Sequence, residues 1–156
     1  MDAIQFLKQE HQKATAAFER VLKAAPESRG QLWARLWADL EAHERIEDAC
    51  LYEPLSRDAG KKDSILADWR KKHQNEVDNV EGLIKAIGKL DPEDVSWLTK
   101  LKPAHASLER HIREEEQDIF PRVSKIWNED KLEQAGRDMK AMKAKKLKPT
   151  TVRRVA

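Results

Sequence analysis

The 156-residue sequence is poor in residues that break helices or cross-link chains: it has 5 glycines, 6 prolines and 1 cysteine. The lone cysteine, Cys50, excludes an intramolecular disulfide and is typical of proteins from a reducing compartment. No apolar run approaches the roughly 18 residues that a membrane-spanning helix requires. Charges are spread through the first twenty residues, so we expect no signal peptide. These absences predict a cytoplasmic protein that does not enter a membrane.

Charged residues make up 37% and hydrophobic residues 40% of the chain, a balance that is typical of amphipathic helices. The length suits one domain with a sizeable core. Apolar residues recur every three or four positions in four long segments, which predicts four helices with short connections. We therefore expect an all-α fold, an up-down-up-down four-helix bundle, over residues 1–129.

Residues 130–156 are predicted to form a separate basic segment. A weaker apolar stripe predicts a short C-terminal fifth helix lying across the bundle, and it consists of Leu132, Ala135, Met139 and Met142. Residues 131–156 contain nine Lys and Arg against two Asp and Glu, a net charge of +7. Such a tail could touch nucleic acid or phospholipid. Because the chain has no helix-turn-helix or zinc-finger pattern, we expect a solvated tail and no nucleic-acid partner.

Each of the four long apolar stripes contains one histidine. These histidines are His11, His43, His73 and His111. With a rise of about 1.5 Å per residue, their distances from the predicted turns place them at nearly the same height in antiparallel helices. The fifth histidine, His105, is rotated off its stripe and is expected at the surface. The sequence thus predicts one polar layer inside an apolar core.

Two segments share one spacing: HERIEDACLYEP from residue 43 and HIREEEQDIFP from residue 111. Each has a glutamate four residues after its histidine and an aromatic residue nine after it. The glutamates are Glu47 and Glu115, and the aromatic residues are Tyr52 and Phe120. A spacing of four places the histidine and glutamate on one helix face, able to reach a common centre. The remaining acidic side chains of the second segment are expected on the solvated face, and these are Glu114, Glu116 and Asp118.

Four inward histidines and two inward glutamates would cost several kcal/mol if they were buried without partners. Buried groups of this kind are normally paired or bound to a metal. Six ligands exceed the four of a tetrahedral zinc site. Mixed imidazole and carboxylate ligands suit iron or manganese, and carboxylates can bridge two ions. The pattern predicts a dinuclear metal site.

The order of these residues resembles the hemerythrin-like HHE cation-binding domain family over roughly residues 1–145. The order is His11, then His43-x-x-x-Glu47, His73, and His111-x-x-x-Glu115 followed by Ile-Phe-Pro. The resemblance implies a bundle that holds two iron ions, with the four histidines as terminal ligands. It also implies that both glutamates bridge the irons, together with an oxo, hydroxo or water bridge. Manganese or zinc would be a weaker match.

One position departs from the oxygen-carrying hemerythrins. They have a second histidine four residues after the one in the third helix, where this chain has Val77. Some iron-sensing relatives place a glutamate directly after the histidine of the second helix, which makes Glu44 a candidate ligand. Glu76 is another candidate replacement. Tyr52 could approach the metal if its helix bends, but we expect it to be packed away from it.

Replacing an imidazole by a carboxylate favours the ferric state, so this departure argues against reversible oxygen carriage. We expect a di-iron protein that acts on small oxidants, peroxide or nitrogen oxides, in oxidative or nitrosative stress. The alternative is a protein that binds, senses or stores iron or dioxygen without turnover. Enzymatic activity therefore stays open. We expect a monomer or a weak homo-oligomer.

Overall fold

The computed structural model describes residues 1–147, and this part of the chain is built from helices without a β-strand. The all-helical prediction is confirmed. The α-helices are α1 (Ala3–Lys23), α2 (Pro26–Glu47), α3 (Glu53–Ala59), α4 (Ser64–Ile87), α5 (Val95–Glu114), α6 (Phe120–Ile126) and α7 (Glu129–Leu147). Two π-helical turns join some of them, π1 (Asp48–Tyr52) and π2 (Glu115–Ile119). The end of the predicted basic tail lies outside the described residues.

Aspartate side chains start three of the long helices. Asp2 at α1, Asp63 at α4 and Asp94 at α5 each accept a hydrogen bond from a backbone N–H of the first turn. The sequence pattern predicts Asp91 as the cap of the last of these helices, and that prediction is wrong. The Asp91 carboxylate instead accepts the N–H of Glu93 at 2.9 Å and closes a turn, so the helix starts later.

The prolines of the two repeated segments do not end their helices. A proline has no N–H, so the carbonyl four residues before it loses its partner. The sequence predicts a kink or an early stop at Pro54. The backbone instead widens into π1, where the N–H of Glu53 binds the carbonyl of Asp48 five residues earlier. The same bonding closes π2 before Pro121, and the chain continues as α3 and α6.

The buried apolar side chains form two separate clusters. The lower cluster comprises Ala3, Leu7, Ile46, Leu51, Tyr52, Leu55, Ala59, Leu66, Trp69, Ile119, Phe120, Val123, Trp127, Leu132, Ala135 and Met139. The upper cluster comprises Phe18, Val21, Trp33, Leu36, Ile84, Ile87, Trp97, Leu101 and Ala104. Along each of α1, α2 and α4, the inward histidine falls between members of the two clusters, and His111 falls between Ala104 of α5 and Ile119 of π2. A polar layer therefore separates two apolar cores.

The long helices do not touch one another equally. Helix α1 packs on α2 and α5, α4 packs on α5, and α3 packs on α4. The backbones of α2 and α4 stand farther apart, and the side chains of the polar layer meet between them, with His73 Nε2 2.9 Å from Glu44 Oε2. Below the layer, π1 and α3 pack on α4.

Helix α7 packs on α1, α2 and π1. Its predicted apolar stripe enters the lower cluster through Leu132, Ala135 and Met139. Gly136 allows this approach, because a Cβ there would lie 2.5 Å from the carbonyl oxygen of Met1. Among the described helices, none contains a stretch both long and apolar enough to cross a membrane.

Candidate metal centre

The polar layer contains the seven side chains that the sequence singled out as ligands. Helix α1 contributes His11, α2 contributes His43, Glu44 and Glu47, α4 contributes His73, α5 contributes His111, and π2 begins with Glu115. Glu47 and Glu115 are 0% exposed, and His73 is 3% exposed. Carboxylates are almost never buried this completely unless they are paired or bind a metal.

One group of ligand atoms lies toward α4. Single atoms of Glu44, Glu47, His73 and His111 all lie within 4.8 Å of one another. His73 Nε2 is 2.9 Å from Glu44 Oε2 and 3.3 Å from Glu47 Oε1. We call this set the α4-side group.

A second group lies toward α1. It consists of His11, His43 and Glu47, again with one atom of each within 4.8 Å of the others. His43 Nε2 is 3.4 Å from Glu47 Oε2. Glu47 therefore belongs to both groups and turns one carboxylate oxygen toward each. We call this second set the α1-side group.

Glu115 belongs to neither group as the side chains stand. Its Oε1 contacts His111 Nε2, and its Oε2 accepts a hydrogen bond from the Tyr52 hydroxyl at 2.5 Å. The structure thus brings Glu115 to one ligand of the α4-side group while a tyrosine binds its other oxygen. Nothing in the sequence pattern predicted that hydrogen bond.

The aromatic residue of each repeated segment packs on the histidine of a neighbouring helix. The Tyr52 ring lies 5.0 Å from the ring of His73, and the Phe120 ring lies 5.9 Å from that of His11. Tyr52 is packed and 1% exposed, but it lies against the layer and not away from it, because its ring contacts His73 and its hydroxyl binds Glu115. The two π turns position these rings, since each turn ends at or just before its aromatic residue.

The layer leaves many buried polar atoms without a hydrogen-bond partner. Of twelve such side-chain atoms among the described residues, nine belong to the layer. They are His11 Nδ1 and Nε2, Glu44 Oε2, Glu47 Oε1 and Oε2, His73 Nε2, His111 Nδ1 and Nε2, and Glu115 Oε1. Leaving such atoms unpaired costs roughly 1–3 kcal/mol each. A bound cation would satisfy the inward nitrogen of each histidine together with the carboxylate oxygens that face it.

When no cation is bound, the neighbouring carboxylates keep the imidazoles protonated. Burial opposes protonation of His43, but the Glu47 carboxylate outweighs burial and raises the pKa of His43 to about 9. Burial likewise opposes protonation of His73, yet contact with Glu44 raises its pKa to about 10. Burial alone would raise the pKa of Glu47, and the charge of His43 lowers it instead. A metal would therefore displace protons as it binds.

Two further carboxylates face the outer nitrogens of the histidines. Glu116 Oε1 lies 3.6 Å from His11 Nδ1, and Glu76 Oε2 lies 3.5 Å from His111 Nδ1. The expectation that Glu116 lies on the solvated face is wrong, because its carboxylate reaches inward to the buried His11. Glu76 stands beside the α4-side group and not among its four members. Carboxylates in this position fix the orientation of metal-bound histidines.

The other acidic side chains of the second segment point outward, as expected. Glu114 pairs with Lys72 at 2.5 Å, and Asp118 pairs with Arg122 at 2.9 Å. The expectation of a surface His105 is wrong: its ring lies 4.7 Å from that of Phe18 and its side chain is 22% exposed. It contacts no member of the layer.

Two cavities reach the layer from different sides. The α2/α4 cleft opens where α2 and α4 stand apart, has a volume of about 320 Å³, and ends at Glu44, Glu76 and His111. Val77 lies in its wall. A second cavity of about 550 Å³ between α1, α2 and α5 reaches His11. The α4-side group is thus accessible next to the position where the sequence lacks a histidine.

Comparison with known proteins also indicates a cation-binding domain. The sequence profile of the family described as Hemerythrin HHE cation binding domain matches residues 2–123. A solved structure of a hemerythrin HHE cation binding domain-containing protein from Mycobacterium kansasii superposes with a TM-score of 0.74 at 25% identity. That match covers 92% of this chain and 86% of the other. No curated protein sequence matches the chain.

Proposed function

Because this chain belongs to the hemerythrin HHE cation-binding domain family, we propose that its polar layer binds two iron ions and acts on small oxidants. The single observation that carries the proposal is the position of Glu47. This fully buried carboxylate turns one oxygen toward each of two groups of ligand atoms. An arrangement of this kind suits two ions better than one.

In this proposal the two groups hold different ions. His73, His111 and Glu44 would hold the ion on the α4 side, and His11 and His43 would hold the ion on the α1 side. Glu47 would be shared by both ions, and Glu115 would add a further carboxylate. Glu44 thereby supplies the ligand that Val77 cannot. The up-down-up-down order of the four long helices belongs to the same proposal.

Bound iron would supply one-electron redox chemistry to peroxide or nitric oxide that enters the site. The protein's own part is positioning and exclusion of water. Glu76 and Glu116 orient the imidazoles of His111 and His11 through their outer nitrogens. The two apolar cores close the layer from above and below, so solvent approaches it from the sides, along the two cavities. Tyr52 holds the second oxygen of Glu115 in place.

Iron or dioxygen binding without turnover is a second candidate function. The observation that favours it is the depth of the layer, since both central glutamates are fully buried. A sensor or store needs a site that protects its metal, and such a site need not turn over a substrate.

Metal analysis with an optical spectrum tests the proposal. Protein purified without added metal should contain about two irons per chain, and it should consume hydrogen peroxide repeatedly. Glu47→Ala should lower the iron content strongly, whereas the matched control His105→Ala should leave it unchanged. Iron without peroxide consumption would favour the binding function. Zinc alone, or less than one metal per chain, would contradict the di-iron site.

A further inference from the structure

The α2/α4 cleft is too large for the small oxidants alone. Water occupies about 30 Å³ per molecule in the liquid, whereas the cleft measures about 320 Å³. Dioxygen, nitric oxide and hydrogen peroxide each have only two heavy atoms. Pockets that bind larger organic ligands begin at about 300 Å³. The cleft therefore has room for an organic group beside a small reactive head.

The walls of the cleft are apolar and aromatic. Trp33 and Trp37 line it from α2, Val77 and Val80 from α4, and Leu108 from α5. Apart from Trp33, these side chains are only half-buried, so the cleft leaves apolar surface in contact with water. A ligand with an apolar body would remove that surface from water, which is the usual source of affinity in such a pocket.

The inner end of the cleft is polar and belongs to the layer. Glu44 and His111 line the cleft and are also members of the α4-side group. A molecule whose body lies against the tryptophans can therefore place its head beside the α4-side ion. Val77 keeps the approach apolar at the point where a histidine would have added a polar group.

The rim of the cleft carries negative charge. Glu41, Asp48 and Glu81 line it, and two of them have basic partners: Arg45 lies 3.7 Å from Glu41, and Arg70 pairs with Asp48 at 2.8 Å. The rim is therefore weakly negative, which disfavours anions. The cleft thus favours a ligand that has an apolar body and no negative charge.

We propose that the α2/α4 cleft binds neutral organic hydroperoxides and presents their peroxide group to the α4-side group. This rests on the proposed function, since the two electrons come from iron in the layer. The hydroperoxide ROOH takes two electrons from two ferrous ions and two protons from solvent. Its O–O bond breaks, ROH and water leave, and both irons end in the ferric state.

The test combines a binding measurement with a rate comparison. Cumyl alcohol, which has the organic group but no peroxide, should bind iron-loaded protein saturably and change its tryptophan fluorescence, because Trp33 and Trp37 line the cleft. Protein reduced beforehand should react in a single turnover with cumene hydroperoxide. It should react at least tenfold more slowly with a hydroperoxide that carries a carboxylate.

Val80→Phe narrows the cleft without altering a residue of the layer, and Leu83→Phe adds the same ring at an exposed position of the same helix. Val80→Phe should lower the rate ratio of cumene hydroperoxide to hydrogen peroxide about tenfold, and Leu83→Phe should not change it. If Val80→Phe does not fold, Val80→Ile should shift the ratio and the affinity for cumyl alcohol in the same direction.

The outcomes separate this inference from the proposed function. Consumption of hydrogen peroxide with no binding of cumyl alcohol would overturn the cleft assignment and leave the oxidant function standing. An unchanged rate ratio in Val80→Phe would also overturn it. Bound iron with neither peroxide consumed would overturn both.

Discussion

At the scale of single residues, Glu44 would complete the proposed di-iron centre on the α4 side. Its carboxylate oxygen lies 2.9 Å from His73 Nε2, within a group that also holds Glu47 and His111. Val77, at the position of the missing histidine, contributes only to the wall of the α2/α4 cleft. In the proposed centre, the replacement ligand would therefore come from a different helix than the residue it replaces.

Removing Glu44 should weaken iron binding on one side of the centre. We expect Glu44→Ala to bind iron about tenfold or more weakly than the unmodified chain, since even outer partners of metal ligands contribute that much. The matched control is Glu41→Ala, which removes a carboxylate one turn earlier on the same helix. Iron titration of the two variants checks this, and equal losses would contradict a ligand role for Glu44.

The histidines of the layer should make the iron-free protein sensitive to high pH. The pKa of His43 is raised to about 9 and that of His73 to about 10, above their ordinary 6.5. These two histidines therefore contribute their full stabilisation of the folded state below pH 6.5, and this contribution is lost as the pH rises through 9 to 10. The pKa of Glu44 is lowered from 4.5, since contact with His73 outweighs burial, so its stabilisation is lost only in acid.

Urea denaturation of iron-free protein should show a lower midpoint at pH 9.5 than at pH 6, in agreement with those directions. Iron binding should show the opposite dependence and tighten with rising pH, because the metal competes with protons for the same nitrogens. The control variant His105→Ala should show the same pH dependence of the urea midpoint and of iron binding as the unmodified chain. A urea midpoint that does not change between pH 6 and pH 9.5 would mean that the neighbouring carboxylates do not keep the imidazoles protonated.

At the scale of helices and turns, the two π turns explain why the repeated segments end in an aromatic residue and a proline. In each π turn a backbone N–H binds the carbonyl five residues earlier, so the helix continues although the proline has no N–H. The two turns also position Tyr52 against His73 and Phe120 against His11. Such turns often occur at functional sites.

Helix α7 depends on a single glycine for its contact with the start of the chain. An alanine at Gly136 would place its Cβ 2.5 Å from the carbonyl oxygen of Met1, and backbone atoms cannot move aside cheaply. We expect Gly136→Ala to destabilise the protein by about 1–3 kcal/mol. In Gly82→Ala the new Cβ meets nothing within 4 Å, so that helix should gain about 0.5–1 kcal/mol.

Thermal and urea denaturation of the two glycine variants give the comparison. Both substitutions raise intrinsic helix propensity, so opposite signs would isolate the contact of α7 with the chain start. A gain in both variants would mean that α7 stands farther from Met1 than the structure indicates.

At the scale of the whole molecule, the polar layer links two apolar cores that are otherwise separate. Nine buried atoms of the layer make no hydrogen bond, and without a cation its imidazoles and carboxylates are held only by ion pairs. Metal binding to the folded state should therefore stabilise both cores together.

Removing iron with a chelator should lower the melting temperature by roughly 10 °C, if free iron stood about a thousandfold above its dissociation constant. Calorimetry of loaded and chelated protein measures this shift. His105→Ala should show the same shift, whereas Glu47→Ala should show little. If the chelator does not change the melting temperature of the unmodified chain, the layer contributes its stability without metal.

Much of this protein could be predicted from periodicity alone. A helix repeats every 3.6 residues, so the positions of Leu, Val and His along each segment determine which face is buried. The spacing of four between His43 and Glu47 likewise places both side chains on one face, whatever the rest of the chain does. The all-helical fold and the polar layer follow from such local patterns, whereas the family was indicated by the resemblance of the ordered histidines and glutamates to its members.

Only the tertiary structure decided which side chains meet across helices. The hydrogen bond from Tyr52 to Glu115 and the contact of Glu116 with His11 join residues 63 and 105 positions apart. The α2/α4 cleft exists because two helices stand apart, which no local spacing encodes. Such contacts depend on the distance and rotation between helices, and these are determined by the packing of the whole core.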